Sequence, residues 1–176
     1  MESSRITDRA THETTIPFTR CLAGPAEYTV LLFSDRRQNT TWAHQVASAA
    51  ILNSPLLTYA ASPEHMLANP AAAVIKDIPP VWDETIVLPG SAIGELAAYA
   101  RRKGNKWFVA VMNGTAAKKL SIPLRFLKKG VYHTTVVKDD GANAASVIVE
   151  QKNYTAGDTI ELDLVPGGGY IAEFTL

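Results

Sequence analysis

The chain has a single cysteine, Cys21, among 176 residues. That excludes an intramolecular disulfide framework and a CxxC metal site. A lone cysteine in a partly apolar stretch reads as a small core residue. Net charge is also absent: 17 basic residues face 17 acidic ones. Nucleic-acid binding needs a basic surface to neutralise phosphates, so that class is not expected. An electrostatic membrane anchor is not expected for the same reason. No apolar run approaches the roughly 20 residues that span a bilayer. The opening Met1–Asp8 has no apolar segment, so it does not read as a secretory signal. As written, the chain is expected to be cytoplasmic, and it reads as if entered midway through a longer protein.

What is present has an ordinary globular composition, 47% hydrophobic and 19% charged. After a polar start, Gly24-Pro25 marks a break, and Tyr28–Phe33 is a nearly continuous apolar run. Apolar on both faces, that run suits a strand of a parallel, doubly covered sheet. The spacing of Trp42, Val46, Ala49 and Ala50 predicts a helix over 41–53. Leu56 to Ala61 reads as a further turn or two of helix. Ser62-Pro63-Glu64 is a helix start, with a capping serine, proline in the first position and an acid in the first turn. Ala71 to Ile75 reads as helical, and Pro79-Pro80 closes this half.

Beyond Pro80, strand-like runs recur at short, regular intervals between turn residues such as Pro89-Gly90, Asn113-Gly114 and Asp139-Asp140-Gly141. The runs are 82–88, 94–102, 106–113, 118–127, 130–138, 146–154, 159–165 and 170–176. Ile160, Leu162 and Leu164 alternate with Glu161 and Asp163, so one face is buried and one is wet. Trp107 to Met112 is apolar on both faces, as in a covered central strand. The fold class is therefore α+β: the end of an α/β structure over 1–80, then an antiparallel β-sandwich of about eight strands over 81–176.

The residues that carry a resemblance run in order along the chain. They begin with His12-Glu13-Thr14-Thr15-Ile16-Pro17-Phe18-Thr19-Arg20 and Leu22-Ala23-Gly24-Pro25-Ala26-Glu27-Tyr28-Thr29. They continue through Trp42-Ala43-His44-Gln45, Ser54-Pro55-Leu56, Pro79-Pro80-Val81-Trp82-Asp83-Glu84-Thr85 and Pro166-Gly167-Gly168-Gly169-Tyr170. The ordered set resembles the late catalytic domain and C-terminal domain of family 97 glycoside hydrolases. That resemblance implies a fragment of a calcium-dependent α-glucosidase or α-galactosidase acting on an α-linked oligosaccharide. It implies that residues 1–80 are the helical stub of a (β/α)8 barrel, with Tyr28–Phe33 the final barrel strand and 41–53 the final barrel helix. It also implies a C-terminal sandwich used for packing or oligomerisation, and family members that are usually periplasmic. Val30 departs from the pattern, standing where the family has Pro-Gly.

Glycoside hydrolysis uses two carboxyl groups on opposite sides of one bond. Glu13, in an apparently irregular stretch ahead of the strand, is the candidate catalytic residue. By resemblance it is a general acid or a calcium ligand, since carboxylate oxygens suit a hard cation. His12 is the candidate substrate-binding residue, through a sugar hydroxyl. The carboxylate that would partner Glu13 is not found in the chain, so no activity is expected from this chain alone. The alternative is a non-catalytic sandwich that self-associates. Glu27, Arg20 and His44 read as structural, and Asp139-Asp140 as turn chemistry. Gly167-Gly168-Gly169 reads as a flexible turn, lacking the Lys-Ser/Thr of a phosphate loop. Trp42, Trp82 and Trp107 read as core.

Overall fold

Small residues and a good cap create the helix around which the molecule is built. In the computed structural model, which describes residues 7–52 and 54–176, the Thr41 hydroxyl accepts the His44 amide at 3.1 Å and opens α2, Trp42–Ile51. Ala43 to Ile51 are all buried, a state that three sides of packing demand and that Ala, Ser and Val permit. Before α2 come α1 (Arg9–Thr15), two short 3₁₀ turns (Ile16–Phe18 and Arg20–Ala23) and β1 (Thr29–Val30), with a third 3₁₀ turn at Asp35–Arg37. After it come β2 (Thr58–Tyr59), α3 (Pro63–Ala68) and α4 (Ala72–Asp77). The Ser62 side chain caps α3, as the sequence predicts.

β1 and β2 pair in parallel, Thr29 with Thr58 and Val30 with Tyr59, across α2. They form a small β–α–β unit, and this corrects two expectations. The segment 56–61 contains a strand rather than helix, and β1 is followed by a further parallel strand rather than being the last. Short apolar runs do not distinguish strand from helix by period; the β-forming Thr58 and Tyr59 decide it here.

The remaining strands are β3 (Glu84–Val87), β4 (Leu96–Lys103), β5 (Lys106–Asn113), β6 (Lys118–Pro123), β7 (Tyr132–Asp140), β8 (Asn143–Tyr154), β9 (Thr159–Leu164) and β10 (Gly169–Thr175). Six of them form one antiparallel sheet in the order β3-β4-β5-β10-β7-β8. The other two, β6 and β9, form the facing pair. Ile160 and Leu164 point inward while Glu161 and Asp163 are exposed, so the alternation is realised.

The six-stranded sheet is covered on both faces, giving three layers. On one face α2 meets Ala97, Tyr99, Phe108, Ala110, Met112 and Ile171 in a single apolar cluster. On the other, Leu120, Ile122, Ile160 and Leu164 meet Val109, Val111, Ala172 and Phe174. β5 is buried from Trp107 to Asn113 because it lies under both covers. Among the described residues, no helix is long and apolar enough to cross a membrane.

Candidate functional site

Glu13 lies inside α1, not in an open loop, and is fully buried. The helix begins there because the Asp8 carboxylate accepts the Thr11 amide. This corrects the expected placement: a seven-residue helix offers too short a period to be read in a polar stretch. Both carboxylate oxygens are occupied. Oε1 accepts from Arg9 Nη1 and from the Tyr28 hydroxyl, each at 3.0 Å. Oε2 accepts from Gln45 Nε2 at 2.8 Å, and His44 Nε2 lies 3.1 Å away. The His44 contact has ion-pair distance but lacks good hydrogen-bond alignment.

The network continues in both directions. Gln45 Oε1 accepts the Leu32 amide at 3.0 Å, fixing the chain just after β1. Arg9 Nε donates to the Arg36 carbonyl at 3.0 Å. His44 Nδ1 donates to the Gly168 carbonyl at 3.1 Å, since a carbonyl can only accept. Nearby, the Thr41 hydroxyl donates to Asp139 Oδ1 at 2.5 Å and the Gly169 amide to Asp139 Oδ2 at 3.0 Å. One buried polar cluster therefore ties α1, β1 and α2 to the β7 end and the turn before β10.

The other candidates take separate places. His12 is half-buried, its ring 5.8 Å from that of Tyr28, and it is not part of the carboxylate cluster. Glu27 and Arg20 are exposed. Trp107 stacks near Phe126 and Trp82 meets Phe108 edge-on, both core roles. Trp42 packs against the core beside Phe33 and also lines a cavity, its Nε1 donating to the Phe33 carbonyl at 2.9 Å. The glycine turn is packed, not flexible: Gly167, Gly168 and Gly169 are all buried. Sequence reasoning missed Arg9, Gln45 and Asp139 as members of the cluster. The i,i+4 spacing of Arg9 and Glu13 was the available signal.

The cavity, about 430 Å³, opens past the C-terminal ends of β1 and β2 between the start of α2 and α3. Phe33, Trp42, His65 and Asn69 are in its wall. Asn69 is buried, with Nδ2 unpartnered. Among the described residues no Asp or Glu lines it, so these walls do not supply the paired carboxyls of glycoside hydrolysis.

The calcium implied by the resemblance does not fit Glu13 in this arrangement. Calcium takes six to eight oxygen ligands. Here both carboxylate oxygens accept hydrogen bonds, and the Arg9 guanidinium stands beside them. Among the described residues, no group of three or more His, Cys, Asp or Glu is placed to hold a metal.

The electrostatics suit a structural joint. Burial pushes the Glu13 carboxyl up, but the close approach of His44 and the charge and hydrogen bond of Arg9 outweigh it and hold it below the usual value of 4.5. Asp139 goes the other way: burial raises it above 3.8 against its bonds to Thr41 and Gly169 and the charge of His44. A depressed carboxyl contributes stability above its unfolded value and loses it as pH falls through the folded one. A raised carboxyl holds its proton longer in the folded state, so mild acid stabilises through it. The expected thermal-unfolding profile therefore loses the Glu13 contribution below about pH 4.5. Glu13→Gln should flatten that acid limb, and an unchanged limb would count against the assignment.

A β–α–β unit is layered on an antiparallel sandwich, and the buried Glu13 carboxylate at their joint has both oxygens accepting hydrogen bonds. Residues 81–175 match the family model described as glycosyl-hydrolase 97 C-terminal, oligomerisation, and the chain belongs to glycoside hydrolase family 97. It is 31% identical over 185 residues to a retaining alpha-galactosidase of Bacteroides thetaiotaomicron, covering 96% of this chain and 28% of that protein. It is 31% identical over 176 residues to a probable retaining alpha-galactosidase of Streptomyces bingchenggensis, covering 97% of this chain and 26% of that one. Among solved structures, a family 97 enzyme from a Pseudoalteromonas strain, in complex with acarbose, superposes with a TM-score of 0.84 at 30% identity. That match covers 94% of this chain and 28% of the enzyme. The chain thus spans little more than a quarter of the length of the relatives it matches.

Proposed function

We propose that this chain is the C-terminal portion of a family 97 α-glycosidase that hydrolyses an α-linked oligosaccharide, and that its own part in that enzyme is non-catalytic. In this reading it seats the sandwich against the end of the barrel and carries self-association. The observation that supports it is the state of Glu13: fully buried, with both oxygens already accepting. A general acid must reach the leaving oxygen, and a partner carboxyl must stand on the other side of the bond. Glu13 is proposed to hold the joint, and the calcium expected for the whole enzyme to draw its ligands from residues outside this chain. His12, half-exposed beside Tyr28, is kept as a sugar-contacting residue of the whole enzyme.

The test is direct. The purified chain, with and without calcium, is expected to give no turnover of aryl α-galactosides or α-glucosides. Turnover abolished by Glu13→Gln would reverse the proposal. Self-association is supported by the family description and by large exposed apolar side chains, Leu22 at 77% and Leu56 at 81% exposure.

A further inference from the structure

The six-stranded sheet ends on one side at β8, which pairs with β7 and has its outer edge open. Folded chains usually blunt such an edge by making it short, bending it, or placing proline or charge, lysine especially, on it; β8 has charge, at Glu150 and Lys152, but neither shortness nor proline. β8 is long, 12 residues, and contains neither proline nor glycine. The opposite edge, β3, has 4 residues. Ile148 and Val149 on β8 remain 39% and 37% exposed.

The residue pattern of β8 is complementary to itself. Ile148, Glu150, Lys152 and Tyr154 alternate along the strand and so share one face. If two copies pair antiparallel about a two-fold axis at Gln151, Glu150 stands opposite the partner's Lys152, and Lys152 opposite the partner's Glu150. In the same register Ile148 meets the partner's Tyr154, and the reverse. A two-fold interface must present the same patch from both copies, and this strand does so in both charge and apolarity. Within one copy, Glu150 is already flanked by Lys138 at 2.6 Å and Lys152 at 2.9 Å, so the face carries charge of both signs.

We propose that the occupant of this edge is a second copy of the same chain, and that two β8 strands pair antiparallel in the Gln151-centred register, joining two six-stranded sheets into one. This rests on the self-association reading above and names its surface.

Charge swaps test it by sedimentation velocity. Glu150→Lys and Lys152→Glu, each alone, place like charges opposite each other twice across the seam. Each is expected to weaken dimerisation about tenfold or more. The double variant restores complementarity and should dimerise like the original. An equimolar mixture of the two single variants should form a heterodimer. That arm keeps the test sound, because a misfolded chain would not be rescued by mixing. If the unaltered chain dimerises and both swaps leave it unchanged, the β8 seam is wrong while self-association stands. An unaltered chain that stays monomeric overturns both.

Discussion

Glu13→Ala is expected to destabilise the chain by about 3–5 kcal/mol, the range for stripping one partner from a buried ion pair. For a chain of this size that is a fall of roughly 10 °C in Tm. The reason lies in what is left behind. Arg9 and His44 are 2% and 0% exposed, and without Glu13 the Arg9 guanidinium has no counter-ion inside the cluster. Gln45 also loses one acceptor, keeping only Thr40. Urea unfolding of the variant beside the original measures the difference. A double change, Arg9→Met with Glu13→Leu, removes both charges and should lose much less than Glu13→Ala, because no uncompensated guanidinium remains. A loss under about 1 kcal/mol for Glu13→Ala would show that the cluster carries little of the joint.

Gly169→Ala is the second large effect. A methyl group at that position would fall on the backbone of His44 and come within 2.7 Å of the Ala43 carbonyl carbon. Those atoms belong to the first turn of α2, whose hydrogen bonds hold them in place, so the helix or the turn must shift. A loss of about 3 kcal/mol is expected, at the upper end for overpacking. Gly141→Ala is the control, since a Cβ there meets nothing within 4 Å. It should stay within about 0.5 kcal/mol of the original. Equal behaviour of the two variants would mean that the turn does not press on α2.

Much of the sandwich was legible because its signals are local and repeated. β5, Lys106–Asn113, coincides with its expected run, and the alternation in β9 put Ile160 and Leu164 inside. The start of α3 was readable from Ser62-Pro63-Glu64 because capping chemistry is confined to a few neighbouring residues. The joint was not readable, because it is assembled from distant pieces. Thr41 and Asp139 are 98 positions apart and His44 and Gly168 are 124 apart. No spacing rule links them. Glu13 drew attention as a carboxylate in a family-like motif, yet beyond Arg9 its partners come from α2 and from Tyr28 ahead of β1, which only packing brings to it. The glycine run looked like a flexible turn for a related reason: absence of side chains is the same in sequence whether the space is empty or filled by a helix.

The family match begins at residue 81, but the apolar cluster under α2 ignores that position, taking Val46, Ala50 and Ile51 from one side of it and Tyr99, Phe108 and Met112 from the other. The bounds of the family model and of the folding unit therefore differ. Expressed from 81 onward, the sheet would bare the floor on which α2 lies, so a shuffled copy of this module would have to bring a helix with it or acquire one from its new host.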